Sequence, residues 1–353
     1  MVCTGPVTTG ARRTTAYAPG RVNVIGDHTD YMGGFVMPMA IDLGTTVTVE
    51  HGGATISLRS ATEDSPAVVP LGLADPSRTE PAWARFVAGV VAELRPDVGA
   101  HGTVATTLPV GAGLASSAAL EVAVALALGF DGPPVELAQL CRQAEQRASG
   151  VPCGIMDQLA SAAGVERSLL LIDCRELSVT SVLLPDGVAV VGVHSGQSRT
   201  LAGSAYADRR AECEAAELQI GPLRDAELAD VARMHDPLLR RRARHVVTEN
   251  GRVHAFAAAL AAGDLAGAGR LMAQSHASLR DDFEVSTPAL DGLAASLAAL
   301  DGVFGARMTG GGFGGVVVAL VREAAVGEVA AAVKGRQWWR FTPSGGATVT
   351  VTG

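Results

Sequence analysis

An α+β fold in two domains is what the sequence predicts, and three observations carry the prediction. The chain has 353 residues, more than one domain of the usual ~100–200 residues requires. Of these, 48% are hydrophobic and only 18% charged, a globular composition with ample material for a core. Strand-like and helical segments alternate in the first half, and the second half runs through long helical patterns before returning to strands. No fixed-period repeat is visible, which excludes solenoids and propellers.

Taken in order, Thr45–Glu50, Ala54–Leu58 and Gly102–Leu108 are β-rich with partial alternation, whereas Trp83–Leu94 and Ser116–Leu128 carry helical spacing or strong helix formers. Val135–Ala148 predicts another helix, broken at Gly150 and Pro152. The apolar stretch Ile155–Ala163 and a strand at Ser168–Asp173 follow. The pair Pro185-Asp186 starts a turn before a strand at Val188–Val193, and the domain boundary is placed there, dividing the chain into 1–185 and 186–353. Alanine-rich patterns predict helices at Ala205–Ala216, Leu223–Glu249, Val253–Ala262 and Pro288–Leu300. Strands at Gly315–Val321 and Ala347–Val351 close the chain and are free to rejoin the first sheet.

The formal net charge is −8, and no block of basic residues offers a footprint for a phosphate backbone. Nucleic acid is therefore not an expected partner. Lys334 is the only lysine, so a phosphate site in the first 300 residues must use arginine, backbone amides, helix N-termini or metal, and a Walker A lysine is excluded. The five cysteines, Cys3, Cys141, Cys153, Cys174 and Cys213, contain no C-x-x-C pair and signal neither a disulfide framework nor a zinc knuckle. Reduced thiols are expected. The polar stretch Met1–Arg13 lacks the apolar region of a signal peptide, and no run of ~20 apolar residues occurs, so a soluble cytoplasmic protein without a membrane partner is expected.

Three glycine-containing loops carry the candidate chemistry. In Leu108–Leu120, Gly111 and Gly113 and the serines Ser116 and Ser117 immediately precede an alanine-rich helix. Such a loop can turn several backbone N–H groups and the positive end of the helix toward one anion; a glycine turn with a serine cap is the other reading. Glu145 lies near the end of the preceding helical pattern to Ser149–Gln158, which contains Asp157. If that segment folds against the glycine loop, Glu145 can join Ser117 on Mg²⁺ while Asp157 faces an acceptor hydroxyl, the division of labour phosphoryl transfer needs. A solvated helix face is the other reading for Glu145. Ala18–Gly34 gathers Arg21, Asp27, His28 and Asp30 beside glycine turns, a set suited to a polyol's hydroxyls or, more simply, to a capped surface turn. Finally, Met308–Gly315 has five glycines in six positions and leads into a strand. It permits close approach to a ligand or forms a hairpin, and its context does not suit a dinucleotide fingerprint.

Together these stretches resemble the galactokinase branch of the GHMP small-molecule kinases. The likeness rests on Gly20–Tyr31, Gly111–Leu120, Cys153–Gln158 and the late glycine loop, with Arg244–Asn250 and Leu279–Ser286 also similar, and it spans nearly the whole chain. The resemblance implies an N-terminal domain like the second domain of ribosomal protein S5 and a ferredoxin-like C-terminal domain, with ATP and sugar between them. It implies transfer of the ATP γ-phosphoryl group to the sugar's anomeric hydroxyl. Asp157 would be the base, with Arg21 the positive neighbour that keeps it ionised and stabilises the transition state. Ser117 and Glu145 would hold Mg²⁺, while Gly111, Gly113, Leu114, Ser116 and Ser117 would line the phosphates. Asp27, His28, Asp30, Gly154 and Tyr206 would line the sugar. The protein would act on small molecules as a monomer or weak homodimer.

Three positions depart from the family pattern. Asp27 stands where galactokinases usually carry glutamate, Met32 where they carry asparagine, and Ala115 where they carry serine. Position 27 matters most, because the family glutamate reaches the sugar's C6 hydroxyl, and a carboxylate one methylene shorter leaves space or admits a substituent. The expected substrate is accordingly galactose or a galacto-configured sugar modified or extended at C6, such as a long-chain sugar of secondary metabolism. A catalytically silent sugar sensor of the same fold is the alternative; intact Ser116-Ser117-Ala118 and Asp157 argue against it. A homoserine- or mevalonate-type kinase would have no need of the Arg21–Asp30 cluster.

Overall fold

A computed structural model of the chain describes residues 13–109, 111–197 and 202–352. Cys3, residues 1–12 of the polar N-terminal stretch, Val110 of the glycine loop and the side chain of Ser204 lie outside the described residues.

The first half builds β1 (Arg13–Ile25), β2 (Phe35–His51), β3 (Thr55–Ser60), β4 (Ala67–Pro70), α1 (Ala84–Leu94), β5 (Ala100–Thr106), α2 (Ser116–Ala127), α3 (Pro134–Ser149), α4 (Met156–Ala163), β6 (Ser168–Asp173) and β7 (Ser178–Leu183). The second half builds β8 (Val188–His194), α5 (Ala202–Ile220), α6 (Leu228–Ala232), α7 (Pro237–Ala261), α8 (Leu265–Asp281), α9 (Pro288–Ala298), β9 (Val303–Met308), β10 (Val316–Arg322), α10 (Val326–Ala332), β11 (Trp338–Phe341) and β12 (Thr348–Thr352).

Among the described residues these strands form two sheets. The larger follows the order β12-β1-β2-β5-β3-β4, with β6 and β7 branching from β2; the smaller follows β11-β8-β10-β9. The β3–β5 pairing is parallel and the others are antiparallel. Alternation of buried and less buried residues along the outer part of β1 gives way to continuous burial from Ala18 to Ile25, where helices cover the strand. Helices α2 and α4 pack on β1 and β2, and α8 and α9 pack on β9. This is the α+β fold expected. The last strand, β12, pairs with β1 in five-residue register from Arg13↔Thr352 to Tyr17↔Thr348, so the chain does return to its first sheet.

Two helical expectations are corrected. Leu223–Glu249 is not one helix. It divides into α6 and the start of α7, because Pro237 has no N–H to continue a helix and Asp236 caps a new one, accepting from the N–H groups of Leu238 at 2.8 Å and Leu239 at 3.2 Å. Conversely, Val253–Ala262 is no separate helix but the end of α7, which runs through Gly251. Helix α8 was not anticipated. Its Gly269 lies directly against the Phe304 carbonyl of β9, where a side chain has no room.

Candidate active site

Arg21 owes its position to a break in β-sheet register. The β1–β2 pairing shifts between Pro19 and Arg21, and such a bulge re-aims the side chain beside it. Arg21 turns toward the start of α4, donating from Nε to Asp157 Oδ1 at 2.7 Å and from Nη2 to Oδ2 at 2.5 Å. Its third nitrogen, Nη1, donates to the Gly113 carbonyl at 2.8 Å. Asp157, in the first turn of α4, remains 29% exposed at its side chain while Arg21 is almost fully covered. One guanidinium therefore joins the candidate base to the glycine loop and leaves the carboxylate open to an incoming ligand.

That loop delivers Ser116 and Ser117 into the first turn of α2. The residue before them, Ala115, has φ +60° and no side chain caps the helix from that position, so the first-turn amides are left to a ligand rather than to a serine cap. Ser117 Oγ donates to Glu145 Oε1 at 2.8 Å, the pairing on which the metal expectation depended. Glu145 is thus no solvated helix face. Its other oxygen accepts from Gln158 Nε2 at 2.5 Å, and Gln158 also reaches Glu121 Oε2 at 3.4 Å. Burial and the nearby Asp157 charge push the Glu145 carboxyl up, opposed by hydrogen bonds from Ser117 and Gln158. Burial, then the Glu145 charge, push Glu121 well above the carboxylate range. Among the described residues no group of three or more His, Cys, Asp or Glu side chains is arranged to hold a metal ion. Two oxygens, from Ser117 and Glu145, are nonetheless a fitting donor set for Mg²⁺, which keeps waters and takes phosphate oxygens for the rest of its shell.

The third group sits on the turn between β1 and β2. His28 has φ +64°, and its Nδ1 lies 3.0 Å from the Tyr31 hydroxyl. Its ring stands 5.4 Å from that of Tyr206 and 4.8 Å from that of Phe283. Burial raises the phenols of Tyr31 and Tyr206 well above their usual range, keeping both as hydrogen-bond donors. The Asp30 carboxyl is pushed up to about 6, chiefly by burial and then by the Asp157 charge. It lies so close to Gly154 that a Cβ there would overlap the carboxylate, which explains the glycine.

Asp27 is placed differently from the other turn residues. It is 2% exposed, its Oδ1 accepts from the Gly310 N–H at 2.8 Å, and its Oδ2 lies 2.6 Å from Arg307 Nη2, a charge contact off the hydrogen-bonding direction. The late glycine loop is accordingly both things considered for it: the hairpin between β9 and β10, and a close backbone approach to the site.

These groups converge on one cavity of about 690 Å³. Arg21, Asp27, His28, Asp30, Gly111, Gly113, Ser116, Ser117, Glu145, Gly154, Asp157 and Tyr206 all line it. Leu114 does not line this cavity: its side chain is buried in the main core, and its carbonyl accepts from the Arg21 N–H at 3.2 Å. The structure also brings in residues that sequence reasoning missed. Gln158 adjoins Asp157, Phe86 and His194 line the wall, and Glu121 and Arg307 stand behind it. A lone acid in the apolar run Ala118–Ala127 was the available signal for Glu121, because a buried charge demands a partner.

Residues 8–51 match the galactokinase galactose-binding signature, 84–165 the N-terminal domain of GHMP kinases, and 256–338 the C-terminal domain of GHMP kinases. A galactokinase of Roseiflexus sp. (strain RS-1) is 47% identical over 329 residues, covering 88% of this chain and 83% of its own. The crystal structure of Lactococcus lactis galactokinase complexed with galactose superposes with TM-score 0.89 at 31% identity, covering 95% of each chain. Mevalonate kinase of Methanococcus jannaschii shares the fold, with TM-score 0.69 at 16% identity over 96% of this chain and 100% of its own.

Proposed function

The chain belongs to the galactokinase family of GHMP kinases, and from that premise we propose how its cavity performs the reaction. It is a sugar 1-kinase, transferring a phosphoryl group from ATP to the anomeric hydroxyl. Our reading is that the sugar lies against Asp27, His28, Asp30, Gly154 and Tyr206, and that the ATP phosphates lie along Gly111, Gly113, Ser116 and Ser117. The observation that carries this reading is the reach of Arg21, whose guanidinium binds the Asp157 carboxylate and the Gly113 carbonyl together.

Asp157 accepts or orients the anomeric proton, since its carboxylate stays partly open to the cavity while Arg21 ties it to the glycine loop. Arg21 holds that carboxylate in one orientation by two parallel hydrogen bonds and sets a fixed positive charge where negative charge grows in the transition state. Ser117 and Glu145 would hold Mg²⁺, which when bound supplies neutralisation of the phosphate oxygens that a lysine supplies elsewhere. The uncapped first turn of α2 presents its amides to the same phosphates.

For the sugar we propose galactose or a galacto-configured aldose modified or extended at C6. Supporting the second is the engagement of Asp27 by Gly310 and Arg307, which draws the shortened carboxylate toward the C-terminal half. We further propose small-molecule partners only and a monomer or weak homodimer in the cytoplasm; among the described residues no helix is long and apolar enough to cross a membrane. The test is an ADP-release screen against galactose, its C2- and C6-modified analogues and longer aldoses, with phosphorus NMR of the product. Turnover of galacto-configured aldoses to 1-phosphates is expected. ADP release with no aldose in the set would overturn the reading.

A further inference from the structure

Helix α7 reaches out of the C-terminal half to the turn that carries Asp27, His28, Asp30 and Tyr31, through three side chains within six residues. Glu249 Oε1 accepts from the Gly26 N–H at 3.0 Å, at the start of the turn. The next residue, Asn250, accepts through Oδ1 from the Phe35 N–H at 2.9 Å, at its end. One helical turn earlier, His245 Nε2 lies 3.1 Å from the Asp27 carbonyl. A carbonyl only accepts, so that nitrogen carries the proton. Positions 245 and 249, one turn apart, lie on the same face, and Asn250 follows about 100° further round, so the two acceptors reach opposite ends of the turn.

We propose that Glu249 and Asn250 are positioning residues for the acceptor sugar: they fix both ends of the turn, and through it the orientation of Asp27, His28 and Asp30. This rests on the reading that those three residues meet the sugar. His245, Glu249 and Asn250 are all buried and none lines the cavity, so they act through the turn and not by contact with substrate. Gly34 has no side chain where one would collide with Asn250 Oδ1, so the turn and the helix side chain are shaped to each other. Thr29 closes the turn internally, its one hydroxyl proton shared between the carbonyls of Phe35 at 2.7 Å and Gly26 at 3.0 Å, which makes it one body that two external bonds can aim.

Glu249 is also locked in its own place. Arg252 Nε donates to Oε2 at 2.6 Å and Ser275 Oγ to Oε1 at 2.5 Å. Burial alone would raise this carboxyl, but the charges of Arg252, His245 and Arg307 hold it down to about 2. It is therefore a full acceptor for the Gly26 amide at every pH at which the enzyme works. An isosteric glutamine loses that charge and presents an N–H₂ toward either Gly26 N–H or Arg252, where only an acceptor fits.

The experiment uses the full chain and the best sugar of the screen above. Asn250→Leu and Glu249→Gln should each raise the sugar KM, and the sugar Kd measured by calorimetry without nucleotide, by about tenfold or more. The kcat should stay within about threefold and the ATP KM within about twofold, a split that general loss of packing would not produce. Asn250→Asp, which keeps the acceptor oxygen, should stay near wild type. Glu249→Gln keeps the question open to measurement if Asn250→Leu does not fold. Folded variants that retain the wild-type sugar KM, or that lose sugar and ATP equally, overturn the inference. Asp30→Asn is the control for the site itself: if it also leaves the sugar Kd unaltered, the turn is not the sugar site and the inference falls with that reading.

Discussion

Arg307, fully buried in β9, stands 2.6 Å from the carboxylate of Asp27, which comes from the opposite half of the chain. The same arginine donates from Nη1 to the Val24 carbonyl at 3.0 Å, so it is anchored independently of Asp27. A carboxylate drawn onto such an anchor leaves more of the neighbouring cavity to the ligand. We expect the wild-type enzyme to prefer a C6-extended sugar to galactose by kcat/KM, and Asp27→Glu to reverse that preference. One methylene in a pocket is worth roughly 10–200-fold in discrimination. Steady-state kinetics of both enzymes on both sugars decides it, and a wild type that uses galactose best sinks the idea.

Asp157→Asn should lower kcat by at least ~10²-fold, because the amide cannot take the proton and offers Arg21 one acceptor oxygen instead of two. Nucleotide affinity should barely change, since Asp157 faces the acceptor. Single-turnover rates and an ATP-binding titration check this; a variant with wild-type turnover removes Asp157 from the chemistry.

Ser117→Ala and Glu145→Ala should each raise the Mg²⁺ concentration for half-maximal rate, by roughly tenfold. In addition, Glu145→Ala strips Gln158 of its 2.5 Å partner and leaves that buried amide beside Glu121 alone. Its melting temperature should therefore fall further than that of Ser117→Ala. Unaltered metal dependence in both variants would show that the ligands are elsewhere.

Asp30 predicts a conflict between stability and binding. Its carboxyl is raised from 3.8 to about 6, first by burial and then by the Asp157 charge. The folded state thus holds this proton more tightly than the unfolded chain, and the group's contribution to stability declines as pH rises from about 4 to about 6. Asp30→Asn removes the charge, so it should melt at least ~2 °C above wild type at pH 8, with the difference closing as pH falls below about 4. The same variant should bind sugar more weakly. Melting curves across that range test the sign; a variant less stable than wild type at pH 8 contradicts it.

Local signals made most of the secondary structure readable. Ser168–Asp173 is a short apolar run, and α2 and α3 carry helix formers between glycines and prolines. The site residues Arg21, Ser117, Glu145 and Asp157 could be picked out because each lies in a short segment with its own chemical pattern. Glu121, Arg307 and Glu249 could not. Their partners lie far off in sequence or on another helix: the apolar run around Glu121 signals a buried charge but not Gln158, and Arg307 meets Asp27 across 280 residues of sequence. Helix α8 escaped for a related reason: its Gly269 is required by β9, a strand more than thirty residues further on.

The pairing of β12 with β1 also bears on how the protein is made. A ribosome delivers Arg13–Ile25 long before Thr348–Thr352, yet Arg13 and Thr352 are direct partners. Throughout translation the outer edge of β1 must wait, with its amides and carbonyls unpaired, while the rest of the N-terminal half assembles. Closing this edge is the most sequence-distant step in the fold and hence a slow one. A nascent chain stalled before residue 348 would still carry an open strand edge able to pair with a neighbour on the same messenger, so the hazard of aggregation lasts until the final strand is made.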